Sequence, residues 1–314
     1  MDTLIRGLHH VTATVADAQA DVDFYVRLLG QRLVKKTVNF DNPGVYHFYY
    51  GNEAGTPGTI MTTFPYKGMG VRPGANGAGQ IETTSFSAPA TAMEFWRQRL
   101  AAAKVAFAEA PTPFGEDALL FDDPSGLHIR IVGTAQDDRE PWTRADITKA
   151  HAIRGIHSVA LNVRHPEITA GLLTQIMDST QVGEDDGITR YAMGEARPGT
   201  IVELIDASDD PAGVNGLGTV HHVAFAVATP DDQLRMQSEF RKLGLGVTEV
   251  LDRQYFTSIY FREPNGVLFE IATLPPGFAI DEPLATLGTA LKLPPWEEHR
   301  RALIESHLPP VEVS

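Results

Sequence analysis

The sequence contains no cysteine. Disulfides and thiolate metal sites are therefore excluded, and any metal ion must be held by nitrogen and oxygen donors. Long apolar runs are missing as well, with no stretch approaching the roughly 18 residues that a membrane span needs. The opening Met1-Asp2-Thr3-Leu4-Ile5-Arg6 runs straight into a candidate strand without the apolar region of a signal peptide, so the chain reads as cytoplasmic. Positive charge is scarce: 26 Lys and Arg stand against 40 Asp and Glu, a net charge of −14. That balance repels nucleic acid and anionic membranes and leaves a small molecule as the expected partner. The 43% hydrophobic and 21% charged residues are ordinary for a globular protein, so 314 residues are expected to bury full cores in about two domains.

What is present is self-similarity. Leu8-His9-His10-Val11-Thr12-Ala13-Thr14 near the start returns as Val220-His221-His222-Val223-Ala224-Phe225-Ala226. Strand alternation sends His10, Thr12 and Thr14 to one face and Val11 and Val15 to the core, with His222, Ala224 and Ala226 on the matching face of the second copy. The same alternation puts His9 and His221 on the opposite face.

After the first strand, Val22, Tyr25, Val26 and Leu29 follow helical spacing over Asp17 to Leu29, ended by Gly30. Three strand-like runs follow, Arg32 to Asn39, Val45 to Tyr50 and Thr59 to Phe64, separated by Asn42-Pro43-Gly44 and Gly55-Thr56-Pro57-Gly58. The order repeats from Ile81, Ile156 and Val220. In the last copy Thr229, Pro230 and Asp232 make a helix start and Gly244 a helix end.

The spacing predicts an α+β fold of four βαβββ repeats forming two half-barrel-like domains. A first domain over 1–135 holds units one and two, and a second over 155–275 holds units three and four. Between them lies a polar linker, 136–154, and after them a Pro-rich tail, 276–314, with one short helix near Trp296 to Leu308 that packs across the body.

The repeats also locate a site. Intervals from the second residue of each opening pair to the aligned residue of the closing strand run 10 to 62, 83 to 130, 158 to 203 and 222 to 270, or 52, 47, 45 and 48 residues. Unit one offers His10 and Thr62, unit four His222 and Glu270; units two and three offer Thr83, Arg130, Ser158 and Glu203. An arginine where a cation belongs marks the inner copies as inactive, and Glu203 as structural. His10, His222 and Glu270 give two imidazoles and a carboxylate with Thr62 in the fourth position. Such a set leaves coordination positions open, as in non-haem Fe(II) oxygenases.

The βαβββ repeats, Gly7-Leu8-His9-His10-Val11-Thr12, the run Gly55-Thr56-Pro57-Gly58-Thr59-Ile60-Met61-Thr62-Thr63-Phe64-Pro65, and the tail with Pro295-Trp296-Glu297-Glu298-His299-Arg300 resemble the vicinal-oxygen-chelate superfamily. Within it they resemble ring-cleaving dioxygenases of the para-hydroquinone 1,2-dioxygenase type, over essentially the whole chain. The hydroquinone type takes its first histidine from unit one, matching His10; the classical catechol enzymes take theirs from unit three, here Ser158. The resemblance implies Fe(II), with Mn(II) as the alternative ion, and a small dihydroxylated aromatic with O2 as reactants. It implies His9 and His221 as supporting catalytic groups, Thr12 at the pocket wall, and Arg253 and Tyr260 at the substrate oxygens. Arg253 would stabilise developing negative charge, while Tyr260 or a supporting histidine would move protons. His47 is a further candidate for the pocket. A homo-oligomer is left open. Rival functions are a glyoxalase-like lyase or isomerase, needing a fourth ligand, and a metal-free binder of aromatic compounds.

Overall fold

The computed structural model describes residues 4–109 and 111–313. Unit one comprises β1 (Ile5–Val15), α1 (Ala18–Val22), β2 (Arg32–Asn39), β3 (Asn42–Gly51) and β4 (Ile60–Pro65). Unit two comprises β5 (Gln80–Pro89), α2 (Met93–Ala102), β6 (Phe107–Glu109), β7 (Ala118–Asp122) and β8 (His128–Thr134). Unit three has β9 (Gly155–Val163), α3 (Pro166–Gln175), β10 (Ser179–Asp185), β11 (Ile188–Met193) and β12 (Ile201–Asp206). Unit four has β13 (Thr219–Val227), α4 (Pro230–Lys242), β14 (Leu251–Asp252), β15 (Thr257–Arg262) and β16 (Leu268–Thr273).

Helix starts follow their caps. The Asp17 carboxylate accepts from the amides of Gln19 and Ala20, and the Thr229 hydroxyl accepts from that of Asp232 with Pro230 in the first turn. The helix expected over Asp17 to Leu29 is α-helical only to Val22 and then winds as a π-helix over Asp23–Leu28, where the amide of Leu29 reaches back five residues to the carbonyl of Phe24. Its apolar stripe is nonetheless buried.

The strands form two curled eight-stranded sheets, the half-barrels of an α+β fold. One runs β14-β15-β16-β13-β1-β4-β3-β2 and the other β10-β11-β12-β9-β5-β8-β7-β6. The outer units, one and four, thus share a sheet through the antiparallel β1/β13 pair, and the inner units share one through β5/β9. Each sequence half contributes one unit to each sheet.

Segment 136–154 ties the sheets together through Arg139. Its guanidinium donates to the carbonyls of Gly58 (2.8 Å) and Ile156 (2.9 Å) and to the Ser87 hydroxyl (3.1 Å). The C-terminal segment straps the outer sheet. Fully buried Lys35 on β2 donates to Asp281 (2.7 Å) and Glu282 (2.8 Å), and Phe278 packs against Tyr49 and Tyr255. A short helix α5 (Arg301–His307) follows. Among the described residues no helix is long and apolar enough to cross a membrane.

Candidate metal centre

Both histidine pairs sit on β-bulges. Along β1 and β13, Leu8 faces Phe225 and His10 faces Ala224, leaving His9 without a partner; Thr12 faces His222 and Ala13 faces Val220, leaving His221 without one. An inserted residue breaks strict alternation and turns consecutive side chains toward the same side. The expectation that His9 and His221 point away from the site is thereby corrected. His9 Nδ1 lies 2.8 Å from His10 Nδ1, and His221 Nδ1 lies 2.7 Å from His222 Nδ1. The Gly-Thr-Pro-Gly run supports the first bulge: Gly58, at a left-handed φ of 85°, donates its amide to the His9 carbonyl at 2.8 Å.

A hydrogen bond between each close nitrogen pair needs one shared proton, and the ring that donates it is set by its tautomer. An imidazole that presents a lone pair at Nε2 carries its proton on Nδ1, so His10 and His222 donate to their neighbours, which accept. Burial and the adjacent His10 lower the His9 pKa to about 3, keeping it neutral as an acceptor must be. His221 borders the cavity, and enclosure by its walls together with His222 lowers its pKa in the same direction.

The Nε2 atoms of His10 and His222 lie 3.3 Å apart. Glu270 Oε2 lies 3.3 Å from the first and 2.8 Å from the second. Two donors bound at about 2.1 Å and at right angles to one another are about 3.0 Å apart, so this triangle fits one face of a metal's coordination shell. Glu270 is fully buried; its Oε1 accepts from the Ser258 hydroxyl, whereas Oε2 has no hydrogen-bond partner. Burial pushes the carboxyl pKa up, whereas a proton on Nε2 of His10 or His222 pulls it well below the usual range, and a cation bound between them would do the same. Among the described residues no lysine or arginine pairs with it. A buried carboxylate lacking a cation, facing two imidazole lone pairs, is a donor set suited to a divalent ion. These three residues could hold one.

A cavity of about 540 Å³ opens over the triad, lined among others by Thr12, His47, Tyr49, Arg253, Phe256 and Tyr260. Tyr260 stands opposite Glu270 across β15 and β16. Burial and that carboxylate raise its phenol pKa, so it keeps its proton. Arg253 donates through Nε to the Tyr260 hydroxyl (3.2 Å) and through Nη2 to Asp41 (3.1 Å). Burial opposes its charge, but Tyr260 and Asp41 hold its pKa above the ordinary arginine value. Phe256 walls the histidines, its ring 4.9 Å from His9 and 5.2 Å from His10. A second cavity of about 510 Å³ lies beside α5 and contains none of the triad.

The structure brings together all eight residues singled out from the sequence, His9, His10, Thr12, His221, His222, Arg253, Tyr260 and Glu270, and adds His47 to the cavity wall. Asp41 is an addition without a sequence signal, since it meets Arg253 across 212 positions of chain. In the inner sheet, Glu203 is ion-paired with Arg190 (2.6 Å) and Arg130 (3.3 Å).

Residues 7–131 and 155–271 match the family model described as the Glyoxalase/Bleomycin resistance protein/Dioxygenase superfamily. The chain is 46% identical over 304 residues to a Bacillus subtilis (strain 168) protein provisionally named ring-cleaving dioxygenase MhqE, covering 97% of this chain and 98% of that protein. It is 38% identical over 302 residues to the chlorohydroquinone/hydroquinone 1,2-dioxygenase of Sphingobium indicum, covering 94% of this chain and 93% of that protein. A crystal structure of a provisionally named dioxygenase from Bacillus subtilis superposes with a TM-score of 0.94 at 44% identity, covering 99% of this chain and 98% of that one.

Proposed function

We propose that this chain, which belongs to the Glyoxalase/Bleomycin resistance protein/Dioxygenase superfamily, is a non-haem Fe(II)-dependent ring-cleaving dioxygenase acting with O2 on a hydroquinone-type or related dihydroxylated aromatic. The reading is supported by the convergence of His10, His222 and Glu270 on one point beneath a cavity that carries Arg253 and Tyr260. It is also supported by the ring-cleaving activities after which relatives aligning over nearly the full chain are named.

In this reading His10, His222 and Glu270 hold the ion, with manganese the alternative for the same donors. A ferrous ion held there supplies Lewis acidity and one-electron chemistry toward O2, which no side chain of this protein provides. The chain's own residues do the rest. His9 and His221 accept the Nδ1 protons of the ligand histidines and so fix their tautomer and ring orientation. Tyr260, whose hydroxyl keeps its proton, donates to a phenolic oxygen of the substrate. Arg253 places a fixed positive charge where anionic character develops on that oxygen. Phe256 and Tyr49 exclude water from the triad's side of the cavity, which strengthens both effects.

A lyase or isomerase of glyoxalase type needs a fourth ligand. The aligned residue is Thr62, whose hydroxyl is already bonded to His47 and Thr12. The test is oxygen uptake. Fe(II)-loaded protein is expected to consume O2 in proportion to added hydroquinone, and His222→Ala to abolish the uptake. Unchanged uptake in His222→Ala would sink the ligand assignment, and turnover of a thiol–aldehyde adduct without O2 would sink the reaction class.

A further inference from the structure

The outer sheet has an internal pseudo-symmetry that reaches past the metal ligands. β4 lies along β1 with Thr62 facing Thr12, as β16 lies along β13 with Glu270 facing Ala224. β3 pairs with β4 so that Tyr49 faces Thr62, and β15 pairs with β16 so that Tyr260 faces Glu270. Two residues earlier on β3 and β15 stand His47 and Ser258. Each bonds the closing residue of its own unit: His47 Nε2 meets Thr62 Oγ1 at 3.0 Å, and the Ser258 hydroxyl meets Glu270. Unit one therefore carries a threonine where unit four carries its carboxylate, and an imidazole where unit four carries a supporting serine.

The hydrogen bonds in this quartet have a fixed direction. Thr62 donates its single hydroxyl proton to Thr12 Oγ1 at 2.8 Å. It has no second proton to give, so the contact with His47 is one in which the imidazole donates from Nε2–H. Thr12 accepts from Thr62 and keeps its own proton. Among the described residues no protein acceptor takes that proton, and Thr12 lines the cavity. A buried hydroxyl proton without an acceptor costs free energy, and the arrangement makes sense when a ligand in the cavity supplies one.

We propose that His47 and Thr62 are positioning residues that hold Thr12 as a hydrogen-bond donor toward an anionic phenolic oxygen in the cavity, favouring a phenolate-bearing substrate. The identity of the substrate rests on the dioxygenase reading above; the direction of the chain of hydroxyls does not. A threonine alone rotates its proton freely and can donate or accept. The N–H of His47 is accepted by Thr62, which sends its own proton to Thr12 and leaves the Thr12 proton to be donated toward the cavity. His47 is locked in place by its neighbours, its ring 4.0 Å from Tyr49 and 4.3 Å from Phe64, and burial, with the Arg253 charge nearby, keeps it neutral.

The experiment uses 4-nitrophenol, whose visible absorption reports its ionisation, bound anaerobically to the Fe(II)-loaded full-length protein. Wild type is expected to bind the phenolate and to lower the probe's apparent pKa. Thr62→Val and His47→Phe are expected to weaken phenolate binding about tenfold and to return the bound probe's pKa upward by about one unit, the loss expected for one charge-assisted hydrogen bond. His47→Gln keeps a side-chain N–H donor and is expected to restore binding to within about threefold, which a purely structural role for the ring would not do. In turnover the same variants are expected to raise KM for hydroquinone about tenfold while kcat changes less. The proposal is overturned if Thr62→Val binds the phenolate as wild type does, if His47→Gln is as impaired as His47→Phe, or if wild type binds only the neutral phenol. Wild-type protein that consumes no O2 with hydroquinone would overturn the dioxygenase reading, while the probe titrations would still decide the role of His47 and Thr62.

Discussion

The two half-barrels use one scaffold and neutralise their buried carboxylates differently. In each sheet the closing position lies two residues beyond the partner of the opening pair's second member, as the contacts Thr12–Thr62, Ser85–Arg130, Ala160–Glu203 and Ala224–Glu270 demonstrate. Even the bulges recur, at His9 and His221 in the outer sheet and at Glu82 and His157 in the inner. The inner sheet fills its centre with protein cations: Glu203 is clasped by Arg190 and Arg130, and Arg190 lies 3.8 Å over the Phe114 ring and also bonds Glu116. The outer sheet leaves Glu270 beneath an open cavity with imidazoles, and among the described residues no lysine or arginine, paired to it. Unit one contains a third solution. Buried Asp21 accepts from the hydroxyls of Tyr50 and Thr63, its Oδ1 has no partner, and burial raises its pKa to about 8, so a proton neutralises it. Guanidinium, proton and, in the proposed reading, a metal ion are three answers to one electrostatic problem, and only the ion would leave room for a substrate.

This contrast can be broken at its ends. The largest effect is expected from Glu270→Ala, which should abolish ion retention and hydroquinone-dependent oxygen uptake; Glu203→Ala should leave ion content unchanged while lowering stability. Next comes Arg190→Met, which strips Glu203 of its closest cation and should cost about 3 kcal/mol in denaturant unfolding without altering ion content. His9→Ala removes the acceptor that orients His10 and should weaken ion affinity by about 10- to 100-fold in a chelator competition, whereas the inner counterpart Glu82→Ala should not.

The smallest effect on the ion site is expected at Asp21, which lies outside it. Its folded pKa lies above the usual carboxyl value, so its contribution to stability is fully present below about pH 4 and is lost as pH rises through about 8. Replacement by Asn should flatten that part of the stability–pH profile between about pH 4 and pH 8, and a profile unchanged by Asp21→Asn would remove the proton from the comparison.

Features set by local period were readable from the chain. The intervals between opening pair and closing strand placed Thr62, Arg130, Glu203 and Glu270 at one shared register because a parallel ladder fixes how far each connection must return. Side-chain identity then separated the open centre from the filled one, since Arg130 at a ligand position cannot serve a cation. Features set by departures from period were not readable. A bulge adds a residue without changing composition, so His9 and His221 were assigned the wrong face. The π-helical winding after Val22 likewise leaves the apolar spacing of Val22, Tyr25, Val26 and Leu29 intact. Contacts across long separations carry no local signature either. Asp41 reaches Arg253, and Lys35 reaches Asp281 and Glu282, only because the curled sheet brings the outer units and the C-terminal segment together. His47 fell between these cases, being placed on the right strand by pattern but aimed into the cavity by the curl.

Ion stoichiometry tests the central claim most directly. Protein purified anaerobically, loaded with Fe(II), freed of excess ion and assayed by elemental analysis is expected to hold one ion per chain in wild type and in Glu203→Ala, and none in Glu270→Ala. An ion retained in full by Glu270→Ala, or lost with Glu203→Ala in protein that remains folded, would contradict the assignment of the site to the outer sheet.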